Sequence, residues 1–325
     1  MQNKNLFFIT FFYLLFASAL FSADILTQYR NHGIDNIEKQ LDAELMQKEY
    51  WDEYLKDKET TFGYTQTYTN VLTCNKSKAT LTLYKKDQNS SYKIKKEYSA
   101  FTGKEKGDKY REGDLKTPIG VYDLVKKISK VDSFYGPLAF VTSYPNIYDT
   151  YQGKNGSGIW IHGLPIHQKR DEFTKGCIAI DNASLECLNN HIDIEKTLLI
   201  INEDEITQNI SKSTLSSILS QLYAWRYAWL YNDIDAYLGF YDKEFKRYDG
   251  MNRENFVQYK TRVFAKNEKK TILFLNLNVV AYPSKNETYK ITFEEIYRSE
   301  SFSFTGEKAL IVRLLDNKLQ IITEK

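Results

Sequence analysis

The chemistry-bearing residues of this chain fall in one stretch, Ile159 to Asn182, which reads I-W-I-H-G-L-P-I-H-Q-K-R-D-E-F-T-K-G-C-I-A-I-D-N. His162 stands before a glycine at the end of an apolar run, and fourteen residues intervene before Cys177, which closes Thr174-Lys175-Gly176-Cys177. A thiol with an ordinary pKa near ~8.5 is only slightly ionised at neutral pH. An imidazole held beside it takes the proton and later gives it to a leaving amine, the minimum kit for covalent acyl transfer. That imidazole must be kept in one tautomer by an acceptor at its other nitrogen. No acidic residue is close to His162 in sequence, so a backbone carbonyl such as that of Gly163 is the available acceptor. Gly176 lets backbone approach a substrate closely, and the amides around Cys177 are candidates for an oxyanion hole, where one donor is typically worth about 2.7–4 kcal/mol. Lys175, Lys169 and Arg170 bring positive charge, either to favour a thiolate or grip a substrate carboxylate, or simply as solvated loop charges. Residue types alone leave a competing reading open, a buried cysteine and a satisfied histidine that never meet. A zinc site from His162, His167 and Cys177 fits poorly with usual ligand spacing. No metal and no organic cofactor is expected.

The elements that must position these residues can be read from the periodicity. From Tyr64 to about Asn202 the chain is β-rich. Ala79–Tyr84 alternates as a half-buried strand does, Lys93–Thr102 and Ile119–Val125 continue the pattern, and Leu198–Asn202 closes the block. Gly158–Ile161 is a short buried strand that delivers His162 at its end, and Ser184–His191 suits a short helix behind the Cys177 loop. On the N-terminal side, Ile34, Ile37, Leu41 and Leu45 recur at helical spacing, predicting one amphipathic helix to about Lys58. Its Tyr50, Trp51 and Tyr54 can pack within the chain, on the next domain or on a second copy. After a polar segment, Leu215–Asp233 reads as an aromatic helix carrying Trp225 and Trp229, followed by a second helix over Ile234–Tyr241. Strands over Thr271–Val280, Tyr289–Phe293 and Leu310–Leu314 come last, so this block is α+β.

Composition sets the outer limits. A chain of 325 residues exceeds one typical core. Its 42% hydrophobic and 15% aromatic content exclude a disordered profile, and a formal charge of +2 argues against a nucleic-acid partner. The first residues have the layout of a secretory signal peptide: Lys4, an apolar stretch from Leu6 to Leu20, then Ala23. An uncleaved anchor is the alternative. Cleavage implies export, and no cysteine lies near that region, which argues against a lipoprotein. Of the three cysteines, Cys74 and Cys187 either pair, leaving Cys177 as a thiol, or serve as small buried hydrophobes. Asp87-Gln-Asn89-Ser-Ser91 resembles the extended acceptor sequence of bacterial N-glycosylation, with a polar turn as the simpler reading.

Taken together, the motifs resemble the YkuD-like L,D-transpeptidase catalytic domain. The resemblance rests on His162-Gly163, Thr174-Lys175-Gly176-Cys177-Ile178 and Asn182, on Thr117-Pro118-Ile119-Gly120-Val121-Tyr122, on Tyr135-Gly136-Pro137-Leu138 and on Ile159-Trp160-Ile161. It covers roughly residues 68–203. It implies a β-rich catalytic fold, a Cys177 nucleophile, a His162 base with the Gly163 carbonyl as third member, and murein stem peptides as substrate. Gly176, Lys175, Thr174, Arg170 and Trp160 become candidate substrate or oxyanion residues. Two positions depart from the family: Lys175 where histidine is frequent, and Ala179 where arginine is frequent, a loss of fixed charge that argues against ordinary transpeptidation. The third block, with Ala228–Asp233 and Tyr237–Tyr241, is similar to nuclear-transport-factor-2-like domains, cone-shaped α+β folds that bind ligands or mediate dimerisation. The whole layout resembles the cell-shape-determining murein L,D-carboxypeptidases of helical Gram-negative bacteria.

The resulting expectation is a multidomain α+β protein. It has a signal peptide (1–23), an N-terminal helical segment suited to homodimerisation (24–63), a catalytic domain (64–203), a linker (204–214) and a nuclear-transport-factor-2-like domain with a ligand of its own (215–325). The expected activity is periplasmic removal of the terminal D-alanine from peptidoglycan tetrapeptide stems. An L,D-transpeptidase and a non-catalytic murein-binding scaffold are the alternatives.

Overall fold

The computed structural model describes residues 25–167, 173–204 and 210–325. The segment read as a signal peptide, and with it Lys169 and Arg170, lies outside the described residues. Two sheets organise the rest. The first is a closed eight-stranded barrel containing β2 (Asn70–Asn75), β3 (Thr80–Lys86), β4 (Tyr92–Phe101), β5 (Gly120–Ile128), β6 (Ala139–Thr142), β7 (Trp160–His162), β8 (Ile178–Ile180) and β9 (Thr197–Asn202). Around the barrel the order is β2-β3-β4-β8-β7-β6-β5-β9. Most neighbours are antiparallel, but β7–β8 and β2–β9 run parallel. Closure leaves no strand edge open. The interior is filled by alternate residues such as Leu72, Leu81, Ile161, Ile178 and Leu199, all fully buried. Helix α3 (Ile147–Tyr151) follows β6, and α4 (Asn182–His191) packs Leu185 and Leu188 into the same core.

The second sheet is five-stranded and antiparallel, with strand β1 (Tyr64–Thr65) at one edge, then β10 (Thr271–Ala281), β11 (Thr288–Arg298), β12 (Ser303–Leu315) and β13 (Lys318–Glu324). It packs against α5 (Lys212–Leu230), started by Ser211, whose hydroxyl accepts from the Thr214 amide at 3.0 Å. The core is aromatic: Trp225 and Trp229 of α5 meet Tyr237 of α6 (Ile234–Gly239) and Tyr297 of β11. Helix α7 (Arg253–Phe264) adds Phe256 and Phe264.

Several boundaries differ from the sequence reading, and three of them have a visible cause. The N-terminal helix is two helices, α1 (Ile34–Leu45) and α2 (Lys48–Leu55). The break stands at Met46–Gln47, where the Trp51 indole N–H donates to the Leu45 carbonyl at 2.8 Å and rewards an early stop. Both helices belong to the second sheet's domain: Trp51 stacks on Tyr223 of α5, and Arg226 of α5 pairs with Asp42 in a buried contact. Tyr64–Thr65 likewise leaves the catalytic block, since it pairs with Val279 and Asn278 of β10. The aromatic helix starts three residues earlier than periodicity suggested because its cap is Ser211.

The two domains share a core. Val71, Tyr92, Leu198 and Ile200 of the barrel pack with Val280, Tyr282, Ile311 and Ile322 of the sheet. Across the same junction Lys290 pairs with Asp123 at 2.7 Å, and Tyr68 donates its hydroxyl hydrogen to the same carboxylate at 2.6 Å. Burial pushes the Asp123 carboxyl up, but Lys290 and Tyr68 outweigh it and hold it below the usual range.

The sheet domain also holds a cavity of about 480 Å³ between α5, α7 and the strands, lined by Trp229, Tyr259, Lys260, Glu295, Tyr297 and Lys308. Lys260 is buried, its ammonium 4.7 Å from the centre of the Trp229 ring. Burial pulls its pKa from 10.5 down to about 8, with Glu324 pulling the other way. Between about pH 8 and 10.5 the unfolded chain binds a proton that the folded one has released, so stability rises with pH in that window. Relative to Lys260→Met, the wild type should therefore gain on the order of 3 kcal/mol between pH 7.5 and pH 10.5 in urea denaturation. A difference that stays flat with pH would show that Lys260 is solvated.

Candidate active site

The parallel pair β7–β8 brings the two chemistry-bearing residues together. Ile161 aligns with Ile178 and His162 with Ala179, so Trp160 stands opposite Cys177, just ahead of β8. Side chains at paired positions of neighbouring strands share a face, and faces alternate along a strand. Trp160, His162, Cys177 and Ala179 therefore lie on one face, while Ile161 and Ile178 point into the barrel core. Neighbouring strands are about 4.8 Å apart, so the thiol and the imidazole are diagonal neighbours.

The imidazole is buried, with 2% of its surface exposed, and its Nδ1 lies 2.7 Å from the Gly163 carbonyl oxygen. A carbonyl only accepts, so this contact keeps the proton on Nδ1 and turns the Nε2 lone pair outward. The Tyr135 ring stands edge-on to the imidazole, 5.0 Å away and perpendicular, and 5.3 Å from Trp160. The Tyr135 carbonyl accepts from the Gly163 amide at 2.9 Å. The imidazole is thus held at Nδ1 and against the Tyr135 ring, and the backbone that follows it is held by the Tyr135 carbonyl.

The cysteine loop is shaped by its own threonine. The Thr174 hydroxyl accepts from the Gly176 amide at 2.9 Å and donates to the Cys177 carbonyl at 2.6 Å. Thr174 is buried and its backbone bridges the barrel strand end: its amide donates to Thr102 at 2.7 Å, and Lys104 donates to its carbonyl at 3.2 Å. Gly176 adopts φ 135°, and a Cβ there would come within 2.7 Å of the Lys116 carbonyl oxygen, so no other residue fits. The Cys177 thiol donates to the Gly158 carbonyl at 3.4 Å.

Of the residues singled out in the sequence, His162, Gly163, Thr174, Gly176, Cys177 and Trp160 meet here. The Gly176 amide and the Thr174 hydroxyl are engaged within the loop, so their geometry is that of loop shaping. Lys175 is exposed, and so is His167. Among the described residues no three His, Cys, Asp or Glu side chains come together as a metal site. No disulfide forms: Cys74 is buried in the barrel, which pushes its thiol up to about 12, and Cys187 lies 3.7 Å from His191 on α4. Asp87–Ser91 is a turn at the tip of β3–β4, with the Asp87 carboxylate accepting from the amides of Asn89 and Ser91.

Comparison with known proteins places this geometry. Residues 69–201 match the L,D-transpeptidase catalytic domain family, YkuD, and residues 217–325 match the Cds6 C-terminal NTF2-like domain. The crystal structure of the helical cell shape determining protein Pgp2 from Campylobacter jejuni superposes with a TM-score of 0.79 at 38% identity, covering 86% of this chain and 99% of that one. The chain belongs to the YkuD family. Bd1075 of Bdellovibrio bacteriovorus shares the architecture of this YkuD protein with a TM-score of 0.64 at 26% identity, over 82% of this chain and 96% of that one. YafK of Escherichia coli K12, whose name places it among L,D-transpeptidases, is 36% identical over 96 residues, 30% of this chain. The chain spans about a third, 34%, of that curated relative's length.

Sequence reasoning missed one part of the YkuD site. The loop from Gly103 to Pro118, on which Thr174 and Gly176 rest, is held by buried charges. Lys154 reaches Asp108 at 2.6 Å and Asp149 at 2.8 Å, and both Lys154 and Asp149 side chains are fully buried. Asp108 also accepts from the Ile119 amide at 2.9 Å. Asp114 accepts from the amides of Tyr110, Arg111 and Lys116 and pairs with Lys109 at 2.6 Å. Burial alone would raise the Asp114 carboxyl, but these donors hold it far below the usual range. Nothing in the spacing of these lysines and aspartates separates them from surface charges.

Proposed function

We propose that the chain is an exported murein L,D-carboxypeptidase that removes the terminal D-alanine from tetrapeptide stems. The observation that carries this is the His162 imidazole, buried and held in the Nδ1–H tautomer by the Gly163 carbonyl on the strand face it shares with Cys177. In the proposed reaction Cys177 Sγ attacks the carbonyl carbon at the L-centre of diaminopimelate. His162 Nε2 takes the thiol proton, the C–N bond to D-alanine breaks, and the imidazolium protonates the departing amine. Water then adds to the thioester carbonyl, its proton passing through His162 to the sulfur as the C–S bond breaks, and a tripeptide leaves. Three features support the reading: the likeness to Pgp2, itself named for determining helical cell shape, the layout of catalytic and NTF2-like domains, and Ala179. Fully buried beside His162, Ala179 puts no cation next to the nucleophile to recruit a second stem as acceptor.

The cavity around Lys260 supports a separate ligand for the NTF2-like domain. Ile34 and Leu41, exposed on α1, support a homodimer through the N-terminal segment. Among the described residues no helix is long and apolar enough to cross a membrane.

The test is mass spectrometry of products from purified protein and disaccharide tetrapeptide. Disaccharide tripeptide plus free D-alanine, in equal amounts and without crosslinked dimers, is expected. Dimers as the main product would make the chain a transpeptidase, and unchanged substrate would favour the scaffold.

A further inference from the structure

The Gly163 carbonyl orients the imidazole, yet a carbonyl on a glycine-flanked turn is itself free to rotate unless something holds its peptide plane. That plane is gripped from its other end. The peptide unit joining Gly163 to Leu164 carries both the carbonyl that meets His162 and the Leu164 amide, pointing in opposite directions. The Leu164 amide donates to Asn182 Oδ1 at 2.8 Å. The two contacts, 2.7 Å at the carbonyl and 2.8 Å at the amide, therefore clamp one rigid plane.

The surroundings are built to admit this side chain. A Cβ on Gly163 would overlap Asn182 Oδ1, and so would one on Gly136, which sits at φ 77°. Both positions are glycine, leaving the amide oxygen a slot between two backbones. Asn182 is the first residue of α4, anchored by Asp181, whose carboxylate accepts from the Ser184 amide at 2.9 Å. The strand that ends at this helix is β8, and β8 begins at the residue after Cys177. The nucleophile and the group that sets the plane of the base's acceptor thus flank one short strand.

We infer that Asn182 is a positioning residue. Through the Gly163–Leu164 peptide it holds the His162 imidazole in the tautomer and orientation that face Cys177. Accepting from the amide end of a peptide also polarises its carbonyl, so the Nδ1 contact is strengthened as well as aimed.

The inference rests on the Cys177–His162 pairing of the proposed function, and its test uses no murein, so the two can fail separately. Full-length protein labelled with 15N-histidine would be compared as wild type, Asn182→Ala and Asn182→Asp, with the His162 signals assigned by a His162→Gln variant. Alkylation of Cys177 by iodoacetamide, mapped by peptide mass spectrometry to separate it from Cys187, gives the second readout. In the wild type the His162 signals should be those of a single Nδ1–H tautomer. In Asn182→Ala they should shift toward a tautomer mixture, with Cys177 alkylation slower by about tenfold, the loss expected for one hydrogen bond. Asn182→Asp retains an acceptor oxygen of the same reach and should restore both readouts. Wild-type signals and alkylation in Asn182→Ala would overturn the inference, as would a folded Asn182→Asp as impaired as the alanine variant. Should Asn182→Ala not fold, the aspartate variant decides alone: wild-type readouts uphold the role, and altered ones end it.

Discussion

Cys177→Ala is expected to reduce D-alanine release from tetrapeptide stems by on the order of 10⁴-fold or more while leaving the fold intact. The size follows from covalent catalysis: without the sulfur no acyl-enzyme forms, and the oriented imidazole is left with only water to activate. The fold is spared because Cys177 is only partly buried and lies outside β8, in a loop whose shape depends on Thr174 and Gly176. His162→Ala should be nearly as damaging, about 10²–10⁴-fold, because it removes proton transfer in both half-reactions. The two losses should not add: with either residue gone the other has no partner, and the double variant should match the worse single one. Turnover of tetrapeptide with unlabelled and isotopically labelled D-alanine measures all three variants. A Cys177→Ala protein that keeps a tenth of wild-type activity would remove the thiol from the mechanism, and multiplicative losses would separate the two residues.

The parts of this site that could be read from the sequence are those whose chemistry is local. His162-Gly163 and Thr174–Cys177 each carry their signal within a few residues, and the β7 and β9 runs are apolar enough to be strands on any reading. The three-residue β8 escapes periodicity because Ile178–Ile180 is too short to show an alternation, although its pairing with β7 is what joins the thiol to the imidazole. Tyr64–Thr65 and the Trp51–Leu45 contact are set by partners far away or by one side chain, so no window reveals them. Asn182 could be matched by resemblance, but its use is visible only once the Gly163–Leu164 peptide plane is in view. Buried lysines are the hardest case. Lys154 lies in Gly153-Lys154-Asn155-Gly156, the composition of a solvated turn, and only tertiary structure puts two carboxylates around it.

Lys154→Met is accordingly expected to destabilise the catalytic domain strongly, by about 3–5 kcal/mol at pH 7.5, because it strands the fully buried Asp149 carboxylate and leaves the partly exposed Asp108 without its cation. In the wild type burial pulls the Lys154 ammonium down, but Asp149 and Asp108 outweigh burial and leave it firmly protonated. Burial likewise raises the Asp149 carboxyl, with Lys154 as the chief opposing influence. Removing the ammonium drives Asp149 higher still. A carboxyl whose folded pKa exceeds its unfolded one binds more protons when folded, so the variant's stability falls as pH rises through that window and recovers as pH drops. The deficit against wild type should therefore shrink between pH 7.5 and pH 5 in urea denaturation. The consequence for catalysis follows the contacts outward. Asp108 joins Lys154 to the Ile119 amide, Thr117 accepts from the Gly103 amide, and Gly103 bridges Thr174, whose hydroxyl sets the Cys177 loop. The same cluster reaches the second domain, for Asp149 accepts from Tyr122 at 3.4 Å, and its capping partner Asn146 donates to Tyr282 at 3.1 Å. Loss of Lys154 should then slow Cys177 alkylation in the fraction that remains folded, and the interdomain junction should loosen with it. A variant within 1 kcal/mol of wild type, or a deficit that ignores pH, would mean that water reaches the three charges and that the nucleophile loop is held by backbone bonds alone.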